Sequence, residues 1–93
     1  MKIEFDTIKN KKNIQGRGID FNIAIDFDLS TSVIIKDERH DYGEKRFAAT
    51  GYIETSLFVM VFTIREVNVR IISLRRANKR ERRKYEQSRI SRQ

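Results

Sequence analysis

The sequence predicts an α+β domain in which an antiparallel sheet is followed by a basic helix. Three strand-like segments succeed one another over residues 46–53, 57–64 and 69–74, and the short polar turns between them are typical of an antiparallel meander. The segment 57–64 is apolar on both faces, which indicates the central strand. A chain of 93 residues has the length of a single domain with one core layer.

The first residues predict a short strand and a helix. Residues 2–5 alternate polar and apolar side chains, as in a strand with one buried face. Asp6 is a preferred N-cap type and begins a helix that runs to about Gln15. Only Ile8 and Ile14 are apolar in this helix, so we expect it to be thinly anchored to the core.

Residues 19–29 allow two interpretations. Apolar side chains occupy nearly every second position of the segment, and this period of two favours a strand. In the alternative, Asp20 is the N-cap of a helix. That helix would bury Phe21, Ala24 and Ile25 on one face. The residues by themselves favour the strand.

The remaining elements are a β-branched strand, a charged loop and a C-terminal helix. Residues 31–36 predict the strand, and residues 37–46 are charged and contain a Tyr-Gly turn signal. Asn78 and Glu81 have the spacing of a capping box, which begins the last helix. Only two apolar side chains follow that start, so packing explains little of this helix.

Positive charge is concentrated at the C-terminus. The formal net charge is +7. Residues 1–74 contain eleven Lys or Arg and eleven Asp or Glu, whereas residues 75–93 contain nine and two, so this last segment carries the whole excess. A neutral body with a cationic end predicts a polyanionic partner, either nucleic acid or an acidic protein surface.

The start of the basic helix is the main candidate for binding that polyanion. Lys79 and Arg80 lie in the first turn, where the helix dipole favours anions instead, and each has a like-charged neighbour four residues on. A bound phosphate would turn these repulsions into contacts. The alternative is a basic helix that is merely solvated. The concentration of the entire net charge in this segment makes that interpretation the weaker one.

Composition excludes several kinds of chemistry. The absence of Cys removes disulfides, cysteine-ligated zinc and thiol catalysis, and a single His removes multi-histidine metal patterns. We therefore expect no metal and no other cofactor. No apolar run approaches the ~20 residues of a membrane-spanning helix, and the N-terminus is charged from its second residue, unlike a signal peptide. These features predict a cytoplasmic protein without membrane association.

The charged loop combines side chains that transfer protons with guanidinium groups that match phosphate. The first kind comprises Glu38, His40, Tyr42 and Glu44, and the second comprises Arg39 and Arg46. An ordinary surface loop is the competing interpretation. Three further arginines, Arg65, Arg70 and Arg75, end or interrupt the apolar strands that follow. On adjacent antiparallel segments they can stand on one side of the sheet.

Three blocks of sequence carry a family pattern: Lys-Ile-Glu-Phe-Asp at 2–6, Asp-Glu-Arg-His-Asp-Tyr-Gly-Glu with Arg-Phe at 37–47, and Arg-Ile-Ile-Ser through Arg-Glu-Arg-Arg-Lys-Tyr at 70–85. These blocks resemble the BrnT family, the toxin half of a bacterial type II toxin-antitoxin pair. The resemblance covers nearly the whole chain, and its second and third blocks are specific in both order and spacing.

The resemblance implies a RelE-like α+β fold in one domain over residues 1–93. That fold is an antiparallel sheet with two N-terminal helices, the second over residues 20–28, and a basic C-terminal helix and tail over 78–93. It also implies metal-independent cleavage of RNA and a BrnA-like antitoxin. Such an antitoxin neutralises the toxin with its N-terminal part and carries a DNA-binding ribbon-helix-helix part, so DNA is contacted only indirectly. We adopt the helix for residues 20–28.

The expected reaction is attack by the RNA 2′-OH, which leaves a 2′,3′-cyclic phosphate. It needs a base, an acid and stabilisation of the phosphorane charge. We expect Arg65 and Arg75, with Arg46 as a third candidate, to stabilise the phosphorane. His40 or Glu44 would be the base, and the other residue or Tyr42 the acid. The candidate catalytic residues are therefore His40, Glu44, Arg46, Arg65 and Arg75, and the candidate RNA-binding residues are Arg76, Lys79, Arg80, Arg83 and Tyr85.

Two other classes of function remain compatible with the residues. The basic helix alone would satisfy a nucleic-acid-binding module without catalysis. A structural interaction domain whose cationic end docks an acidic antitoxin segment is the second.

Overall fold

A computed structural model describes residues 2–91 of the chain, and its architecture is α+β. The strands are β1 (Ile3–Phe5), β2 (Val33–Asp37), β3 (Arg46–Ile53), β4 (Ser56–Arg65) and β5 (Asn68–Arg76). The helices are α1 (Thr7–Arg17), a 3₁₀ helix (Phe21–Asp26) and α2 (Lys79–Ser91). The tail predicted beyond residue 91 lies outside the described residues.

The five strands form one sheet in the order β1-β5-β4-β3-β2. Strands β3, β4 and β5 are the predicted antiparallel meander, and β4 is central. The sheet is nevertheless mixed, which corrects the prediction of an antiparallel sheet, because β1 pairs in parallel with β5. Most of the chain lies between these two strands, so no hairpin turn fixes their relative direction.

The main core lies between one face of the sheet and the N-terminal helical segments. Its buried residues include Ile19, Phe21, Ala24, Phe27, Ala49, Phe58, Met60, Phe62, Ile71 and Leu74. Gly51 of β3 allows the close approach of Phe27, because a Cβ at this glycine would lie 2.8 Å from the Phe27 ring. We call this side of the sheet the covered face and the opposite side the open face.

The ambiguous segment at residues 19–29 is helical, but it is not an α-helix. A 3₁₀ helix begins at the Asp20 N-cap, whose carboxylate accepts the N–H of Asn22. Its period of three places Phe21, Ala24 and Phe27 on the buried side. Ile25, expected to be buried with them, is 50% exposed. The second predicted N-terminal helix is therefore a six-residue 3₁₀ helix.

Helix α1 begins at the predicted N-cap, Asp6, but it is not anchored by its apolar residues. Ile8 and Ile14 are exposed, and the buried side chains of the helix are Asn10 and Asn13. The Asn13 amide donates to a backbone oxygen of β5 at 3.0 Å, and the Asn10 side-chain oxygen accepts the first backbone N–H of the 3₁₀ helix at 2.8 Å. Side-chain hydrogen bonds, and not the burial of apolar residues, therefore hold α1 on the domain.

Helix α2 lies against one end of the open face. Its predicted capping box is confirmed, since the Glu81 N–H donates to the Asn78 side chain and the Asn78 N–H donates to the Glu81 carboxylate. Tyr85 is buried against Leu57 and Val59, and its hydroxyl donates to the Thr31 carbonyl at 2.8 Å. The rest of the open face has no helix over it within residues 2–91. None of the helices described is long and apolar enough to cross a membrane.

Candidate functional site

Strand pairing places three arginines on the open face. In β4, alternate residues point to opposite faces, and Val59, Thr63 and Arg65 point away from the main core. Thr63 is opposite Arg70 and Val59 is opposite Arg75 in the β4-β5 pair, so each arginine shares the face of its partner. A register shift beside Val61 and Phe62 keeps the two arginines on one side although their numbers differ by five.

A groove of about 480 Å³ crosses the open face. Its floor is apolar apart from one threonine and comprises Val33, Ile35, Ala48, Thr50, Val59 and Val61. Its margin is mixed in charge and comprises Lys36, Arg39, Arg75 and Lys84, the acidic Asp37, Glu38 and Glu81, and Tyr85. A depression of about 520 Å³ at the charged loop shares residues 36–38 with the groove, so the two are neighbours. The apolar floor suits a nucleobase, and the cations among the charged groups at its margin suit the flanking phosphates.

At one end of this surface two guanidinium groups converge on one carboxylate. The Arg46 Nη2 lies 3.5 Å from Glu44 Oε1, and the Arg65 Nη2 lies 3.7 Å from Glu44 Oε2. Both distances exceed those of ordinary N–H···O hydrogen bonds. The Nε of Arg46 is buried and has no hydrogen-bond partner among residues 2–91. We call His40, Tyr42, Glu44, Arg46 and Arg65 the loop end.

The Tyr42 ring contacts two other side chains of the loop end. The Arg46 Cζ lies 4.0 Å from the centre of this ring, and His40 meets it edge-on with 5.7 Å between ring centres. The Tyr42 hydroxyl donates to the buried carboxylate of Asp37 at 3.3 Å. Arg39 donates two further bonds of 2.8 Å to Asp37 and holds the pKa of that carboxyl well below its usual range.

Sequence reasoning did not single out Asp37 as an organising residue. One carboxylate in a run of charged residues carries no signal of burial, because its partners are identified only when the loop has folded. The adjacent Thr63 was missed for the same reason. Its hydroxyl donates to the Lys45 carbonyl at 2.6 Å and fixes the end of the loop to β4.

At the other end of the open face, Arg75 is already paired. Its Nη1 and Nη2 each donate to the Glu81 carboxylate at 2.7 Å. This pair raises the pKa of Arg75 and lowers the pKa of Glu81. Glu81 is also the acceptor in the α2 capping box, so the same carboxylate fixes the helix and the arginine. We call Arg75, Asn78 and Glu81 the helix end.

The structure does not bring Arg65 and Arg75 together. Arg75 is opposite Val59, and Arg65 lies six residues further along β4, which is roughly 20 Å at the rise of an extended strand. The two guanidinium groups also bind different carboxylates. Joint binding of one phosphorane by Arg65 and Arg75 does not fit this arrangement, whereas Arg46 and Arg65 do lie together.

The expected RNA-binding residues divide into an exposed group and one buried residue. Arg76, Lys79, Arg80 and Arg83 are exposed on β5 and the first turns of α2. Tyr85 is buried, and its ring meets Tyr52 edge-on at 5.6 Å. The Tyr85 side chain therefore holds α2 on the sheet and contributes its remaining surface to the groove. Within residues 2–91 no three His, Asp or Glu side chains are grouped as metal ligands.

Comparison of the sequence with known protein families assigns the chain to a family. A family model described as the ribonuclease toxin BrnT of type II toxin-antitoxin systems matches residues 5–81. No curated protein matches the chain. The matched range includes the loop end and the helix end of the open face.

Proposed function

Because the chain belongs to the BrnT family of ribonuclease toxins from type II toxin-antitoxin systems, we propose that it cleaves RNA on its open sheet face, without a metal ion. The family supplies the toxin role and the reaction class. The observation that supports the location is the convergence of Arg46 and Arg65 on Glu44. Two cations that meet one carboxylate only at 3.5 and 3.7 Å form a site that a phosphate can enter.

In the proposed reaction, the RNA phosphate takes the place of the Glu44 carboxylate between the two arginines. Glu44, released from Arg46 and Arg65, accepts the proton of the 2′-OH. The 2′-oxygen then forms a bond to phosphorus, the bond from phosphorus to the 5′-oxygen breaks, and His40 donates a proton to that oxygen. The two guanidinium groups stabilise the charge of the phosphorane.

The groove and the start of α2 bind the RNA on either side of the reacting phosphate. The apolar floor receives a base, and Arg75, Lys79, Arg80 and Arg83 bind flanking phosphates. These contacts position the strand, and their charge makes binding sensitive to salt. We further propose that the α+β architecture is that of the RelE-like toxins. The partner is a BrnA-like antitoxin with a ribbon-helix-helix part, through which DNA is bound indirectly.

Incubation of the purified chain with RNA in EDTA tests this function. We expect cleavage that leaves 2′,3′-cyclic phosphate ends, detected by the resistance of the terminal phosphate to phosphatase until acid opens the cyclic group. An RNA with a 2′-O-methyl group at the cleaved position is the matched control and stays intact, because it has no nucleophile. Binding of both RNAs without cleavage of either would replace the nuclease with a binding module.

A further inference from the structure

The two edges of the sheet differ in how well they are protected. Proteins usually blunt an edge with a short strand, a proline, charged side chains or a bulge. β1 is short, with three residues. β2 has five residues and no proline, its charged residues Lys36 and Asp37 lie only at its C-terminal end, and Ile34 and Ile35 are exposed by 47% and 63%. No strand within residues 2–91 pairs with its outer side. β2 is therefore an open template for another strand.

We propose that an extended segment of the antitoxin pairs with β2 as a sixth strand of the sheet. This inference rests on the proposed function, because the toxin role supplies the antitoxin. In an antiparallel pair such as β2-β3, alternate residues turn their N–H and C=O groups away from the partner strand. These outward groups bind the main chain of an added strand, and side chains at alternate positions supply specificity.

Charge selects the antitoxin segment over a second copy of this chain. Each copy carries a formal charge of +7, so pairing two β2 edges would bring two strongly cationic molecules together. An acidic segment is attracted instead. Its apolar residues would lie beside Ile34 on the covered face and Ile35 on the open face. Its carboxylates would exchange with those of Glu38 and Asp37, which pair with the exposed side chains of Lys36 and Arg39.

Addition of a strand at β2 also explains how the toxin would be neutralised. Ile35 and Val33 are part of the groove floor, so side chains of a neighbouring strand on the open face extend over the groove. The segment that follows β2 is the charged loop with His40 and Glu44. An antitoxin chain that continues past the end of β2 therefore covers the loop end without any conformational relay.

Hydrogen exchange on the complex tests the strand pairing directly. The probe is the protein encoded by the reading frame next to the gene for this chain, co-expressed and purified with it. We expect alternate amides within residues 33–37 to exchange at least tenfold more slowly in the complex than in the free chain. Unchanged exchange at β2, or failure of the two proteins to form a complex, would overturn the inference. Protection of β2 in the free chain that disappears on dilution would identify a second copy as the occupant and overturn it too.

Matched variants separate the edge from the general surface. Ile34→Glu and Ile35→Glu should each weaken antitoxin binding at least about tenfold, because a carboxylate at an edge position removes an apolar contact and repels an acidic segment. Ile25→Glu is the control, since Ile25 is 50% exposed but lies on the 3₁₀ helix, and it should bind as the unmodified chain does. Equal binding by all three variants would refute the inference. None of these measurements depends on RNA cleavage, so a protected β2 edge in a chain that leaves RNA intact would refute the nuclease alone.

Discussion

The open face uses the same pair of residue types, arginine and glutamate, in two different ways at its two ends. At the helix end, Arg75 and Glu81 meet through two bonds of 2.7 Å, and the helix cap holds the carboxylate in place. At the loop end, Arg46 and Arg65 stand 3.5 and 3.7 Å from Glu44. A guanidinium group with satisfied donors stabilises the resting structure. One whose carboxylate lies beyond ordinary hydrogen-bond distance is available for charge that appears only during a reaction.

Removal of Arg46 should produce the largest effect. We expect Arg46→Ala to slow RNA cleavage by about 100-fold or more under single-turnover conditions, because a charge-stabilising donor is lost. Arg70→Ala is the matched control. Arg70 lies on the same face and its nearest carboxylate is Glu4, at 4.0 Å, so its cleavage rate should change little. Equal losses in the two variants would show that the open face acts through its total charge and not through the loop end.

Charge on α2 should govern RNA affinity without affecting the chemical step. The variant in which Lys79, Arg80 and Arg83 are all replaced by Gln should flatten the plot of log K against log salt by roughly two to three units, through reduced counterion release. All three side chains are exposed, so thermal unfolding should be nearly unchanged. A salt slope equal to that of the unmodified chain would remove α2 from the RNA-binding surface.

Release of Arg75 from Glu81 should make the helix end resemble the loop end, with a guanidinium group that is available to bind phosphate. Glu81→Gln keeps a capping-box side chain but removes the ion pair. We expect RNA to bind several-fold more tightly, because a phosphate no longer competes with a carboxylate for the Arg75 guanidinium. The single-turnover rate constant should stay the same. A higher rate constant at saturating RNA would instead place Arg75 at the reacting phosphate.

Acid should destabilise the helix end, and this is the smallest expected effect. The pKa of Glu81 is lowered by Arg75 from its usual value of 4.5. The ion pair therefore adds stability above about pH 4.5, and this contribution is lost as the pH falls through the lowered folded-state pKa. In denaturant unfolding, acid should lower the free energy of unfolding by about 1 kcal/mol less in Glu81→Gln than in the unmodified chain. The value is modest because the ion pair is partly solvated. Glu86→Gln, an exposed substitution in the same helix, should leave the pH profile unchanged.

Local signals in the sequence predicted the elements that local physics determines. The bounds of β3 and the caps at Asp6 and Asn78 follow from side-chain alternation and from hydrogen bonds within a few residues. The alternation over residues 19–29 favoured a strand although a 3₁₀ helix forms there. Repeats of two and of three residues both include Phe21 and Phe27, so these positions do not distinguish the two structures.

Features that depend on distant partners were not predictable in this way. The parallel direction of β1 is set by β5, some 65 residues later. The burial of Asn10 and Asn13 depends on backbone groups of other elements. The site shows the same division. Composition identified Glu44, Arg46 and Arg65 as candidates, but only the β4-β5 register separates Arg65 from Arg75. The pairing of Arg75 with Glu81 was likewise not predictable, because it depends on how α2 is oriented against the sheet.

The asparagine attachment of α1 has a consequence for how the domain opens. A helix held by amide hydrogen bonds, with Ile8 and Ile14 already in solvent, should expose little apolar surface of its own when it separates from the sheet. Denaturant sensitivity scales with newly exposed surface, so opening of α1 should depend only weakly on urea. Its backbone amides should then exchange through a local fluctuation, whereas those of β4 should exchange only when the whole domain unfolds. The N-terminal helix would thus detach as a unit of low cooperativity while the sheet that bears the open face stays intact.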